Sequence, residues 1–316
     1  MAATVYFATN RVVAGHAEDY RNYGNGIVAP TDPLAVSHGI AFVEDANLTA
    51  DTVGAIKRIQ DVSKGQFGAQ AAADLSSPGR NLLIFIHGFD NSFENAITRA
   101  AFNQQWFRAS GVAGADTTVI AFSWPSLGKL ISFPILFADY CRDQMQAGQS
   151  GMHIMRFFAG LEPVIRKARA AGRKTFLLAH SMGHFALQAA LESWFLHGNG
   201  QADLFDEAFL CAADEQHNSF AFPAPGRLSD LKLLARRISV YYSTSDQVLH
   251  LSHVLNGIRR LGERGPEDMS NATLFPPGQY RMVDCSGFAD YDRDFQGSHQ
   301  YYRRSKLARA DIAGAM

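Results

Sequence analysis

Cysteine is scarce in this 316-residue chain, and its three copies, Cys141, Cys211 and Cys285, lie far apart. The number is odd and the spacing fits no metal-ligand pattern. This excludes a disulfide scaffold and points to reduced, mostly buried thiols in a reducing compartment. An excess of one charge is also missing. The 29 basic and 30 acidic residues leave a net charge of −1 and form no basic block, which argues against a nucleic-acid surface. Long hydrophobic runs are absent too. The longest, Leu130-Ile-Ser-Phe-Pro-Ile-Leu-Phe-Ala138, is too short to span a bilayer and contains Pro134. The first ten residues have no basic leader and read as a strand rather than a signal peptide. The expectation is a soluble, cytoplasmic protein with no membrane span.

Cofactor signatures are equally thin. There is no Walker-type phosphate loop and no H-E-x-x-H zinc spacing. Gly24-Asn-Gly26-Ile-Val-Ala29 fits the dinucleotide fingerprint formally, but no expected strand precedes it and Pro30 follows. No cofactor and no metal are expected.

What is present is an alternating array. With 47% hydrophobic and 19% charged residues the chain can bury one large core. Strands are expected near Val5–Ala8, Ala55–Asp61, Asn81–His87, Thr117–Trp124, Thr175–His180, Glu207–Ala212, Arg237–Ser243 and Tyr280–Cys285. Several are continuous apolar runs, the pattern of parallel strands covered on both faces. Helical periodicity lies between them: after Asn91, with a capping-box spacing to Glu94, over Met152–Ala171, from Gly183 to His197, and from Gln300 onward. This predicts a single α/β domain over 1–316, with a mostly parallel sheet of about eight strands and helices on both faces. Residues 1–80 would supply N-terminal strands and an extension. Residues 12–50, 125–150 and 213–235 interrupt the alternation, and 125–150 is a candidate lid.

One stretch carries chemistry. Thr175-Phe-Leu-Leu-Ala-His-Ser181-Met-Gly183 reads as a buried strand, a serine at a sharp turn and the start of a helix. That is a nucleophile elbow, with Ala179 where glycine is usual. A serine hydroxyl needs a base, and the base needs a carboxylate to orient it. In such sheets the chain order is Ser, acid, His. Asp246 closes the strand-like run from Ile238, and His299 follows the last strand. Asp214 and Glu215, after Cys211-Ala-Ala213, are the competing acids. Asp246 could equally cap a helix starting at Gln247. His250 and His253, at i, i+3, read as structural, as do His87 and His184, and the His180 side chain should point away from the hydroxyl. An oxyanion needs two fixed donors, expected from the backbone N–H groups of Met182 and, in His87-Gly88-Phe89, of Phe89. Trp124, Leu130, Phe133, Ile135, Leu136 and Phe137 would line the acyl pocket if 125–150 is a lid.

With these residues in hand, the chain resembles the α/β-hydrolase superfamily over about residues 80–305. More narrowly it resembles the bacterial family known as domain of unknown function 900. The matching stretches are Phe7-Ala-Thr-Asn-Arg11, His87-Gly-Phe-Asp-Asn-Ser-Phe93, Phe122-Ser-Trp-Pro-Ser126, Tyr140 with Asp143 and Ser150, Ala179-His-Ser-Met-Gly183, and Val240-Tyr-Tyr-Ser243 leading to Asp246. An Ala-Pro-Asp-like turn of the family is here Ala212-Ala-Asp214. The resemblance implies Ser181, Asp246 and His299 as a catalytic triad. The expected activity is a cofactor-free serine esterase acting on a small-molecule ester or acyl substrate. An acyltransferase or thioesterase with the same triad, and an inactive binding protein on the same fold, are the alternatives.

Overall fold

The two apolar runs Leu82–Ile86 and Phe176–Ala179 lie side by side at the centre of a nine-stranded sheet. The computed structural model describes residues 3–29, 32, 36–44, 55–75, 80–126, 135–221 and 228–316. Its strands are β1 (Ala3–Thr9), β2 (Arg11–Val13), β3 (Tyr23–Ile27), β4 (Ser37–Val43), β5 (Ile56–Val62), β6 (Asn81–Ile86), β7 (Thr117–Ser123), β8 (Thr175–His180), β9 (Phe205–Cys211), β10 (Ala235–Tyr242) and β11 (Tyr280–Asp284). Its helices are α1 (Lys64–Leu75), α2 (Phe93–Ala109), α3 (Ile135–Gln149), α4 (Gly151–Ala170), α5 (Gly183–Leu196), α6 (Gln247–Asn256), α7 (Leu261–Arg264), α8 (Tyr301–Arg304) and α9 (Lys306–Ala315). None of the described helices is long and apolar enough to cross a membrane.

The sheet order is β11-β10-β9-β8-β6-β7-β1-β4-β5. Strands β6 to β11 and β1 run parallel, and β4 and β5 add an antiparallel edge. Alternation along β6 divides the core. Leu82, Ile84 and Ile86 pack with α1, α4 and α5, whereas Leu83 and Phe85 pack with α2 and α9. From β6 the chain steps outward to β7, then returns to the other side of β6 as β8. The loops leaving β6 and β8 therefore diverge at the carboxyl end of the sheet, which opens the crevice where open α/β sheets bind ligands.

The eight expected strands are present, each within two residues of its expected ends. The sheet gains a ninth member from β4, and β2 and β3 form a separate two-stranded ribbon. All three lie in residues 12–50 or just before them. Gly24-Asn-Gly26 and Ser37-His-Gly39 look like turns locally, and pairing with neighbours makes them strands. The rejected dinucleotide fingerprint overlaps β3 over residues 24–27. Helix α2 is capped by Ser92, whose Oγ accepts from Asn95 N at 3.1 Å, and not by the expected Asn91. Of the candidate lid, residues 127–134, including Leu130 and Phe133, lie outside the described residues, and the remainder is largely α3.

Candidate active site

Ser181 follows β8 at φ 55°, one of four non-glycine residues in the left-handed region among the described residues. This conformation costs a residue with a Cβ about 1–2 kcal/mol and must be imposed by its surroundings. Ser181 N donates to Cys211 O at 3.2 Å, and its carbonyl accepts from Asp214 N at 3.2 Å and from His184 N at 3.1 Å. His184 Nδ1 also lies 2.8 Å from that carbonyl. The turn leaves no room beside it, since a Cβ on Gly183 would sit 2.5 Å from His87 O.

Two distant segments reach the hydroxyl. His299 ends a short 3-10 turn, Gly297–His299, and its Nε2 is 2.8 Å from Ser181 Oγ. Its Nδ1 is 2.7 Å from Asp246 Oδ2. Asp246 also caps α6, with Oδ1 accepting from Leu249 N at 2.9 Å. The capping reading and the acid reading are thus both satisfied, one by each oxygen. All three residues are buried. Burial pushes the Asp246 carboxyl above its usual range, and the contact with His299 works against that shift.

Asp214 is committed elsewhere. Its Oδ1 accepts from Arg260 Nε at 2.8 Å and Ser252 Oγ at 2.5 Å, and its Oδ2 accepts from Tyr140 OH at 3.0 Å. Burial alone would raise this carboxyl, but Arg260 and the two hydroxyls hold it below its usual range. Glu215 Oε1 accepts from Gln216 N. His250 and His253 face Glu263. His180, expected to point away from the hydroxyl, makes no hydrogen bond to Ser181 Oγ among the described residues and packs on the loop that carries His299. Its ring packs 4.9 Å from that of His299, and its Nε2 is 3.2 Å from His299 O. The strand register lets the side chain before the serine support the loop that carries the base.

The stretch after β6 is held by a buried polar network. Asn91 Nδ2 donates to Gly88 O at 2.9 Å and Phe89 O at 2.8 Å. Asn91 N donates to Ser126 Oγ, which in turn donates to Asp143 Oδ2 at 2.5 Å. Arg11 Nη2 donates to Asn91 O at 2.8 Å and Arg11 Nε to Ser123 Oγ at 3.0 Å. Arg11 is fully buried, which lowers its pKa to about 9. Sequence reasoning singled out these motif residues without giving them a task. Their common task is to fix the loop that carries Phe89 N–H. Neither that N–H nor Met182 N–H donates to another described group.

Gly88 touches Ser181 closely. A Cβ there would lie 2.6 Å from Ser181 Cβ and 2.9 Å from His180 O. Gly88→Ala is therefore expected to push Ser181 out of place and destabilise the protein by about 1–3 kcal/mol through overpacking. A urea titration of the variant checks the loss of stability.

A cavity of about 230 Å³ opens on Ser181 and His299. Val248, Leu251, Leu255 and Phe295 give it an apolar portion, and Arg99 and Tyr140 a polar one. Trp124, expected in the pocket, does not line it. It is fully buried, stacked 5.0 Å from the His87 ring, with its Nε1 donating to His87 O at 2.8 Å. Phe133 and the side chains of Ile135, Leu136 and Phe137 lie outside the described residues. The apolar wall supplied by α6 was missed because its Val-Leu pattern reads as ordinary helix core.

Residues 64–308 match the family described as alpha/beta hydrolase of unknown function, DUF900. The chain belongs to this family. No curated protein matches the chain. As a member of the alpha/beta hydrolases, it combines their mostly parallel sheet with a strained serine at the switch point of that sheet. Among the described residues the cavity-lining set contains no cluster of metal ligands, and the one His-and-carboxylate group, at His250, His253 and Glu263, stands apart from that set.

Proposed function

We propose that the protein is a serine hydrolase of carboxylic esters. The observation that carries this reading is the hydrogen-bonded chain from Ser181 Oγ through both nitrogens of His299 to Asp246. His299 Nε2 takes the hydroxyl proton as Ser181 Oγ attacks the acyl carbon. Asp246 holds the ring with Nδ1–H toward it and stabilises the imidazolium. The negative charge on the carbonyl oxygen is accepted by Met182 and Phe89 N–H. His299 returns the proton to the leaving alkoxide, and a water deacylates Ser181 by the same steps in turn.

The cavity's charge narrows the substrate. Arg99 lines it, and no hydrogen bond or ion pair joins its guanidinium to a described residue. Burial lowers the Arg99 pKa. Asp90, the acid acting on it, is pushed up to about 6 by burial and acts on Arg99 through space, without a hydrogen bond to it. A substrate with an apolar part along α6 and an anionic group, such as a carboxylate, fits this arrangement. Arg99→Gln is expected to raise KM for an anionic ester by about 10- to 100-fold, the worth of a charged hydrogen bond, while leaving a neutral ester of equal length little affected. Equal effects on both esters would remove the anion preference.

The test of the activity itself is labelling with a fluorophosphonate, followed by location of the modified peptide and a panel of esters and thioesters. Labelling at Ser181 with ester hydrolysis supports the reading. Folded protein that neither labels nor turns over would make it a binding protein on a hydrolase fold. Product analysis with an added alcohol separates hydrolysis from acyl transfer.

A further inference from the structure

His250 and His253 lie one turn apart on α6, and Glu263 lies on α7. Their ligand atoms all fall within 4.8 Å of one another. His250 Nδ1 is 3.3 Å from Glu263 Oε1, and His253 Nδ1 is 3.2 Å from Glu263 Oε2. Neither the sequence motifs nor the proposed reaction uses this group.

Glu263 is the informative member. It is 2% exposed, yet its Oε2 has no hydrogen bond. His253 Nδ1, close as it is, is also buried without a hydrogen bond, so the pair is near but not aligned. Oε1 has one long contact to His250, and Arg264 Nε stands 4.0 Å away on a half-exposed side chain. A buried carboxylate so poorly compensated is costly unless a cation joins it. Each nitrogen stands near a different oxygen of the carboxylate, at a separation close to that between two ligands of one ion. Ligands bound at about 2.0–2.1 Å in a tetrahedron stand about 3.3–3.4 Å apart.

We propose that His250, His253 and Glu263 bind a divalent first-row transition ion, with Zn²⁺ suited to two imidazoles and one carboxylate. His250 is well exposed, so an ion can enter from solvent and the side chain can turn onto it. The ion would tie α6 to α7. Val248, Leu251 and Leu255 on α6 line the cavity, and Asp246 caps that helix. The ion's place is therefore structural, beside the site and outside the reaction.

The experiment uses the full chain after chelator treatment and dialysis. Zn²⁺ binding is measured by calorimetry, Co²⁺ binding by visible absorption, and melting temperature with and without Zn²⁺. Wild type is expected to bind one ion, show tetrahedral Co²⁺ bands and melt at a higher temperature with Zn²⁺. His250→Gln should keep the metal-free melting temperature, because the side chain is exposed. It and the His250→Gln/His253→Gln double variant should weaken Zn²⁺ binding by more than about 100-fold, a loss that outer-shell partners alone can approach. Wild-type binding no tighter than that of the double variant, or Co²⁺ bands that persist in it, would overturn the proposal.

Discussion

Ser181→Ala is expected to lose about 10⁴- to 10⁶-fold in kcat toward its best ester, with the fold retained. The residue stays at φ 55° with a Cβ, and the backbone bonds that impose the turn are untouched. Three linked groups doing one job should also fail together. On the proposed mechanism, Ser181→Ala/His299→Ala is no slower than either single variant, because removing one member already disables the others. Asp246 allows a finer test because its two oxygens have different duties. Asp246→Asn keeps an acceptor for Leu249 N but presents His299 with the wrong tautomer, for which a loss of about 10⁴-fold is expected. Asp246→Ala loses the cap as well, and about 1 kcal/mol of stability with it. Rates and urea midpoints for the two variants separate these duties. Additive losses in the double variant would sink the concerted role.

Mild acid is expected to destabilise the protein steeply. Five buried histidines are held neutral by desolvation: His87 down to about 3, His38 and His184 to about 4, His180 well below its ordinary value and His153 lowered in the same way. In the unfolded chain each takes up a proton near pH 6.5, whereas the folded protein does not. Their contribution is complete above pH 6.5 and is lost as pH falls toward 4. At pH 5 His87, His38 and His184 each cost about 2 kcal/mol, about 6 together, and His180 and His153 act in the same direction. Asp90 acts in the opposite sense. Its raised folded pKa adds stability as pH falls from about 6 toward 4, and it returns about 1 kcal/mol at pH 5. Asp246 shifts the same way. A net loss of roughly 5 kcal/mol or more is comparable to the whole stability of a domain. Urea midpoints at pH 7, 6 and 5 should fall sharply, and a flat series would show that these histidines charge within the fold.

The sequence by itself determined the sheet strands at the centre of the molecule, because Leu82–Ile86 and Phe176–Ala179 are apolar on both faces and only a covered parallel sheet accommodates that. It determined the elbow as well, since Ala179, Ser181 and Gly183 are the small residues a turn at positive φ demands. The order of Ser181, Asp246 and His299 along the chain was also readable. Their meeting was not, because 118 residues separate Ser181 from His299, and only the sheet order brings the two loops together. β2, β3 and β4 escaped notice because their glycines and polar residues become strand only by pairing. Trp124 looked like a pocket wall because an aromatic after a strand says nothing about depth, and packing against His87 puts it in the core. Arg11, Asn91, Ser126 and Asp143 stood in recognisable motifs, yet their work is to join four separate segments, and a hydrogen-bond network across segments leaves no local pattern. Glu263 is the sharpest case. The i, i+3 histidines were visible on one helix face, but the carboxylate that faces them comes from the next helix, and its burial is decided wholly by tertiary packing.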